Sequence, residues 1–382
     1  MTELVDLDHN ATTAPAPDVV AAMLHALREL GGNPSSAHRQ GRAAAAAIAQ
    51  ARGEVAALLG CADDEVVFTS GGTESDNMAV LGGARARAED GAARHVVSTN
   101  VEHPAVEEPL RALEAEGFEV TRVPVRADGR VRADDVAAAL RPATALVTVM
   151  HANNETGAVM PLAAVAAACR AGGVPVHTDA AQSVGKLALD VGDLGVDLLT
   201  VAGHKLYGPK GVGALYVRRG TRLQRIQYGA GHERGLRPGT ENTAGIVGLG
   251  AACKLAHDEL DGRVHTLQGL RDRLEQRLRA ELPELVRHGP DDDRLPNTLY
   301  ASIPGVDARQ LVAELGDQVA LSTGSACHAA GDSRSAVLVA MGVADALASA
   351  AVRMSLGRDN DEEQVDRAAA RIAAVAHELR TS

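Results

Sequence analysis

Lys205 and Lys210 lie in the stretch VAGHKLYGPKGVG, whose glycines nearly have the spacing of a nucleotide phosphate loop. Gly203 and Gly208 match G-x-x-x-x-G, but Pro209 displaces the lysine by one place. Gly211 then stands where a Ser or Thr would hold magnesium. A lysine can do other work here, because a neutral amine attacks a carbonyl carbon. At its ordinary pKa of ~10.4 it is almost wholly protonated at pH 7, so it must be desolvated or set near positive charge. Lys205 directly follows the apolar run VDLLTVA, whereas Lys210 sits in a Pro-Gly turn, so Lys205 is the better candidate. Asp179 closes VPVHTD, and His103 follows HVVSTN with the one side chain whose unperturbed pKa, ~6.5, suits two-way proton transfer near neutrality. Gly72 and Thr73, in SGGTESDN, would present backbone N–H groups, a hydroxyl and a positive helix end to a phosphate. Cys327 stands in STGSACHAAGDSRS among glycines and small residues rather than the large apolar neighbours of a structural cysteine, which suits a thiolate nucleophile on a mobile loop.

These residues fall into a rhythm. From about residue 64 to 217, short β-branched runs lead into polar, glycine-bearing turns and then usually into amphipathic helical stretches. After HVVSTN, for example, Val106, Leu110 and Leu113 have helical spacing. Alternating β and α segments imply a mostly parallel sheet with helices on both faces, and such sheets bind ligands at the carboxyl ends of their strands. Thr73, His103, Asn154, Asp179, Gln182, His204 and Lys205 all lie at or just past such an end. Each has an ordinary structural explanation: a helix cap, a turn, a surface histidine. Five consecutive strand ends so furnished argue for a site. Beyond residue 243 a long helical region leads into strands alternating with helices, the pattern of a smaller α+β domain. The expected division is 16–255 for the large α/β domain, with 1–15 and 256–382 forming the small one. The crevice between them is the default site.

Composition narrows the function. A net charge of −12 over 382 residues, with no long basic stripe, leaves little to replace counterions on a phosphate backbone. Two Phe, four Tyr and no Trp provide few platforms for stacking bases. The four cysteines are far apart without C-x-x-C spacing, so neither a zinc site nor a disulfide framework is indicated. The acidic start MTELVDLDHN is unlike a signal peptide, and no apolar run is long enough to span a membrane. A cytoplasmic protein that grips neither nucleic acid nor membrane is the expectation.

The G-x-G-x-x-G dinucleotide fingerprint is missing after the first strand. A phosphate cup, a strand-end Asp and a strand-end Lys remain, and pyridoxal 5'-phosphate uses all three. The cup anchors the phosphate, the carboxylate keeps the ring nitrogen protonated, and the lysine forms the Schiff base.

The motifs LDHNATT, GNPSSAH, FTSGGTESDN, VEHPAV, NNETGAVMP, HTDAAQSVGK, GHKLYGPKGVGALYVRRG, GHERGLRPGTEN, STGSAC and VRMSLGR run in order from residue 7 to 358. Together they resemble the cysteine desulfurases of the NifS/IscS type, within the class-V aminotransferases. The resemblance implies the type I, aspartate aminotransferase-like fold, a homodimer, and conversion of L-cysteine to L-alanine with sulfur held on an enzyme cysteine. It implies that Lys205 carries the cofactor, Asp179 pairs with the ring nitrogen, Gln182 contacts the ring hydroxyl, and His103 stacks on the ring and handles protons. Gly72, Thr73 and His204 would bind the phosphate, joined by Thr240 of the other subunit. Asn154, Arg353 and Asn33 would hold the substrate carboxylate, and Cys327 would carry the persulfide to an acceptor or scaffold protein. Two features depart from the pattern: Ala202 replaces a serine that usually contributes a hydroxyl to the phosphate, and GDSRS follows Cys327 where relatives often have Glu-Pro. Ala202 and the ACHA wording resemble the DndA-like, DNA-phosphorothioation branch, with iron–sulfur clusters and tRNA as the other sulfur destinations. The competing readings are a selenocysteine lyase or aminotransferase of the same fold, a phosphate-loop hydrolase, and a silent scaffold for sulfur transfer.

Overall fold

The structure is a computed structural model and describes residues 4–89, 91, 93–323 and 334–381. After a short first strand, β1 (Val5–Asp6), seven strands make the central sheet. They are β2 (Val66–Thr69), β3 (His95–Thr99), β4 (Glu119–Val123), β5 (Thr144–Thr148), β6 (Val176–Asp179), β7 (Leu198–Ala202) and β8 (Gly213–Val217). Their spatial order is β2-β8-β7-β6-β5-β3-β4. All pairs are parallel except those of β8, which runs antiparallel to both β2 and β7. β2, β3, β5, β6, β7 and β8 are buried along their whole lengths, which is why β2, β7 and β8 read as near-continuous apolar runs rather than as alternation. The expected mostly parallel α/β sheet is present. The antiparallel β8 is an addition that the rhythm of the sequence does not signal.

Helix Pro104–Ala115 shows how the sequence builds an element that aims a functional residue. Pro104 has its fixed φ at the first turn, and His103 caps the helix by accepting from Ala105 N at 3.1 Å. Val106, Leu110 and Leu113 then point together into the core and are fully buried. Burying that stripe fixes the helix, and the cap leaves His103 at the carboxyl edge of the sheet.

Four more strands follow: β9 (Val286–His288), β10 (Thr298–Ser302), β11 (Val319–Ala320) and β12 (Ala351–Ser355). β9, β10 and β12 form an antiparallel sheet, and β1 pairs in parallel with β11. The first strand thus joins the later part of the chain. One apolar cluster unites Val5 and Leu7 with Leu299, Leu311, Val352 and Ile372, apart from the clusters around the large sheet. Helix Thr243–Glu281 crosses between them: Ile246 to Ala256 pack in the large-sheet core, Leu267 to Leu278 in the other. None of the described helices is long and apolar enough to cross a membrane.

Candidate active site

At the carboxyl edge of the central sheet lies a cavity of about 270 Å³. The structure brings Gly72, Thr73, His103, Asn154, Asp179, Gln182, His204, Lys205 and Arg353 to its walls. Lys205 ends the single turn Gly203–Lys205 that follows β7, and its Nζ donates to the carbonyls of Asn10 and Ala11, both at 2.7 Å. The N-terminal segment is itself pinned there. Thr13 donates from its backbone N and its Oγ1 to the His204 carbonyl, at 2.8 and 3.0 Å. Tyr207, just beyond, is held at φ +64° with its N–H on Thr13 Oγ1, so the backbone around Lys205 is fixed in a conformation that side chains rarely adopt. Lys210 is exposed and does not line the cavity.

Asp179 ends β6, with one oxygen accepting from Ala181 N at 2.9 Å. His103 accepts at Nδ1 from Ala105 N, which places the proton of the neutral ring on Nε2. Arg353, from the middle of β12, is buried. Its guanidinium donates to the Asn154 carbonyl at 3.0 Å and to Asp8 Oδ1 at 2.8 Å, while its Nε makes no hydrogen bond among the described residues. Burial, with Lys205, Lys210 and Lys186 nearby, pushes His204 down to about 4, so its imidazole is neutral at pH 7.

Two carboxyl groups went unremarked in the sequence, Asp76 on the cavity wall and Glu102 beside His103. Asp76, from the first turns of helix Gly72–Glu89, is fully buried, and burial and the Asp179 charge hold it well above the usual carboxylate range. Its Oδ1 lies 3.5 Å from His177 Nε2, but burial pushes His177 down to about 3, so the contact is not an ion pair at neutral pH. Glu102, next to His103, accepts from Thr99 Oγ1 at 2.7 Å and from Met150 N at 3.0 and 3.1 Å, and burial pushes it up to about 8. The folded chain therefore holds a proton on Glu102 that the unfolded chain releases above its ordinary pKa of ~4.3. This contribution is lost as pH rises from about 5 to about 8. Glu102→Gln, which stays neutral, should gain about 3.5 kcal/mol on wild type between urea unfolding at pH 5 and at pH 8. An equal pH dependence in both proteins would show that Glu102 ionises normally.

The donor set fits pyridoxal phosphate. Lys205 supplies an amine, Asp179 a carboxylate, and the amino end of helix Gly72–Glu89 supplies N–H groups for a dianion. Glycines keep that end open. A Cβ on Gly72 would lie 3.3 Å from the Ala202 Cβ, and one on Gly213 would lie 2.8 Å from the Gly71 backbone. Ala202 thus faces the cup where a hydroxyl would reach it. Ala202→Ser should tighten cofactor binding by about tenfold, the effect of one hydrogen bond to a charged group. Titration of apoprotein with cofactor measures this, and equal affinities would mean that another donor already serves the phosphate.

Two expected residues are not on this cavity. Asn33 is exposed and caps its own turn, with Oδ1 accepting from Ser35 N at 2.9 Å, and Thr240 is exposed just before helix Thr243–Glu281. Cys327 lies outside the described residues. Sequence reasoning missed Asn10, Asp76 and Lys186. The spacing of Lys186 four residues after Gln182 was the available signal for the last of them.

A family profile for aminotransferase class-V matches residues 5–368. The cysteine desulfurase IscS of Anaeromyxobacter dehalogenans (strain 2CP-C) is 46% identical over 363 residues, covering 94% of this chain and 89% of its own. Among solved structures, a NifS-like protein superposes with a TM-score of 0.91 at 35% identity, covering 98% of this chain and all of that one. SspA in complex with cysteine gives a TM-score of 0.80, also at 35% identity, covering 92% and 98%. With a profile spanning nearly the whole chain and relatives this similar over almost all of it, the chain belongs to the class-V aminotransferase family.

Proposed function

We propose that Lys205, Asp179, His103 and Cys327 carry out the reaction, with the remaining wall residues holding cofactor and substrate. The chain is a pyridoxal-phosphate-dependent cysteine desulfurase. The observation that carries the assignment of roles is the convergence of Lys205, Asp179, His103 and the Gly72–Thr73 turn on one cavity. When bound, the cofactor supplies an electron sink that weakens bonds to the substrate's α-carbon and then the bond from its β-carbon to sulfur. Asp179 keeps a negative charge against the ring nitrogen. Gly72, Thr73 and His204 bind the phosphate, and Gln182 meets the ring hydroxyl. Asn154 and Arg353 receive the carboxylate of cysteine, with the Nε of Arg353, which has no partner among the described residues, as one donor. His103 moves a proton at Nε2. The Cys327 thiolate attacks the sulfur of the substrate, a sulfur–sulfur bond forms as the carbon–sulfur bond breaks, and alanine leaves after protonation. Purified protein given cysteine and a reductant should yield alanine and sulfide in equal amounts, and alanine without sulfide would contradict this reading.

The working unit is a homodimer. Thr240 is exposed and far in sequence from the cup it is expected to serve. Helix Pro17–Glu29 also presents Val20, Leu24 and Leu27 on one face, 42%, 46% and 66% exposed, an apolar stripe of the kind that marks an interface. Lys205→Ala and Thr240→Ala proteins should each be impaired. Mixed and allowed to exchange subunits, they should regain about a quarter of wild-type activity, since half of the dimers then hold one intact site. A strictly monomeric protein would refute the arrangement. The persulfide on Cys327 then passes to a protein acceptor, and labelled sulfur moving to candidate acceptors no faster than to small thiols would count against that.

A further inference from the structure

Lys186 has no part in the chemistry above, yet it is a buried amine directly behind the cavity wall. Its Nζ donates to Gln182 Oε1 at 2.9 Å and to Asn10 Oδ1 at 3.1 Å. Both acceptors belong to residues that line the cavity. Gln182 in turn donates from Nε2 to the Asn10 carbonyl at 3.0 Å, the same carbonyl that Lys205 Nζ reaches. A glutamine amide has nearly the same shape either way round, so its partners decide which end faces where. Turned the other way, the amide would set its oxygen against the Asn10 carbonyl, acceptor against acceptor, and would lose the Lys186 N–H on Oε1. Lys186 therefore takes Oε1, and the Gln182 NH2 group has one hydrogen on Asn10 and one left for a ligand atom.

We propose that Lys186 is a positioning residue that locks the Gln182 amide with an N–H presented to the cavity, so that the ring oxygen of the cofactor meets a fixed donor. This rests on the reading of Gln182 as the contact of that oxygen. Burial and the charges of Lys205 and Arg353 push the Lys186 amine well below its ordinary pKa. A neutral amine still has two N–H donors for its two acceptors. Lys205 and Arg353 are the charged groups that act on it, while Asp179, Asp76, His103 and His204 line the cavity beyond Gln182.

The donor stabilises the ring oxygen as an anion. Without it, the nitrogen joining Lys205 to the cofactor holds its proton to higher pH, because that proton is then the anion's remaining partner. The test is the pH midpoint of the visible absorption change of the cofactor-loaded protein. Lys186→Met and Gln182→Leu should each raise the midpoint by about one unit, the size of one hydrogen bond to a charged group. The double variant should go no further than either, because both remove the same contact. An unmoved Lys186→Met beside a shifted Gln182→Leu overturns the proposal and leaves the reading of Gln182 standing. An unmoved Gln182→Leu overturns both. Additive shifts would mean that Lys186 acts by its charge and not through Gln182, which also overturns the proposal. Should Lys186→Met fail to fold, Lys186→Gln keeps a donor one bond shorter and should titrate between wild type and Gln182→Leu. A midpoint as high as that of Gln182→Leu then overturns the proposal.

Discussion

Lys205→Ala protein is colourless as purified and turns over cysteine at least ~10³-fold more slowly than wild type. The expectation follows from position. Lys205 Nζ lies on the cavity wall, held by two backbone carbonyls of the N-terminal segment, so the amine is fixed before any ligand arrives. Alanine removes the only lysine amine among the described residues that line the cavity. Free cofactor would still enter through its phosphate and ring contacts, but without a covalent link it would wash out on desalting. Lys210→Ala supplies the control, because Lys210 is exposed in its turn and keeps no wall of the cavity. It should retain the visible band and at least half of the wild-type rate. Absorption spectra and alanine release measure both variants, and a bleached Lys210→Ala beside a coloured Lys205→Ala would reverse the assignment.

The legible part of this site was the part written locally. Val106, Leu110 and Leu113 gave a helix by their spacing, and that helix puts His103 where it is. Apolar runs followed by Asp179, His204 and Lys205 gave strand ends, and parallel strands necessarily place those ends on one edge. What stayed hidden depends on contacts remote in sequence. Asn10 hydrogen-bonds Asn154, Gln182, Lys186, Lys205, Asn297 and Thr298, and nothing near Asn10 itself announces any of them. β8 returns antiparallel between β2 and β7, a pairing that alternating β and α segments do not encode. The raised proton affinities of the Asp76 and Glu102 carboxyl groups were invisible for another reason, since a sequence shows a carboxylate but not the desolvation that shifts it.

Cys327→Ser protein keeps its cofactor and its colour, binds cysteine with a spectral change, and releases alanine at least ~10³-fold more slowly. A serine hydroxyl is scarcely ionised at neutral pH and cannot form the sulfur–sulfur bond that the transfer requires. The argument for Cys327 gains from the other three cysteines. Cys169 and Cys253 are fully buried. Burial pushes the Cys169 thiol up to about 11, and the Cys253 thiol rises further still. Cys61 is partly exposed, but desolvation and the carboxylates of Glu65, Asp63, Asp190 and Asp64 push it up to about 12. None of these three lines the cavity, so each lacks both a thiolate and a route to the substrate. Mass spectrometry of wild type treated with cysteine and no reductant should place one added sulfur on the peptide containing Cys327. Cys61→Ser, Cys169→Ser and Cys253→Ser should keep at least half of the alanine yield. An added sulfur on any of those three, or full turnover by Cys327→Ser, would mean that sulfur leaves this site by a different path.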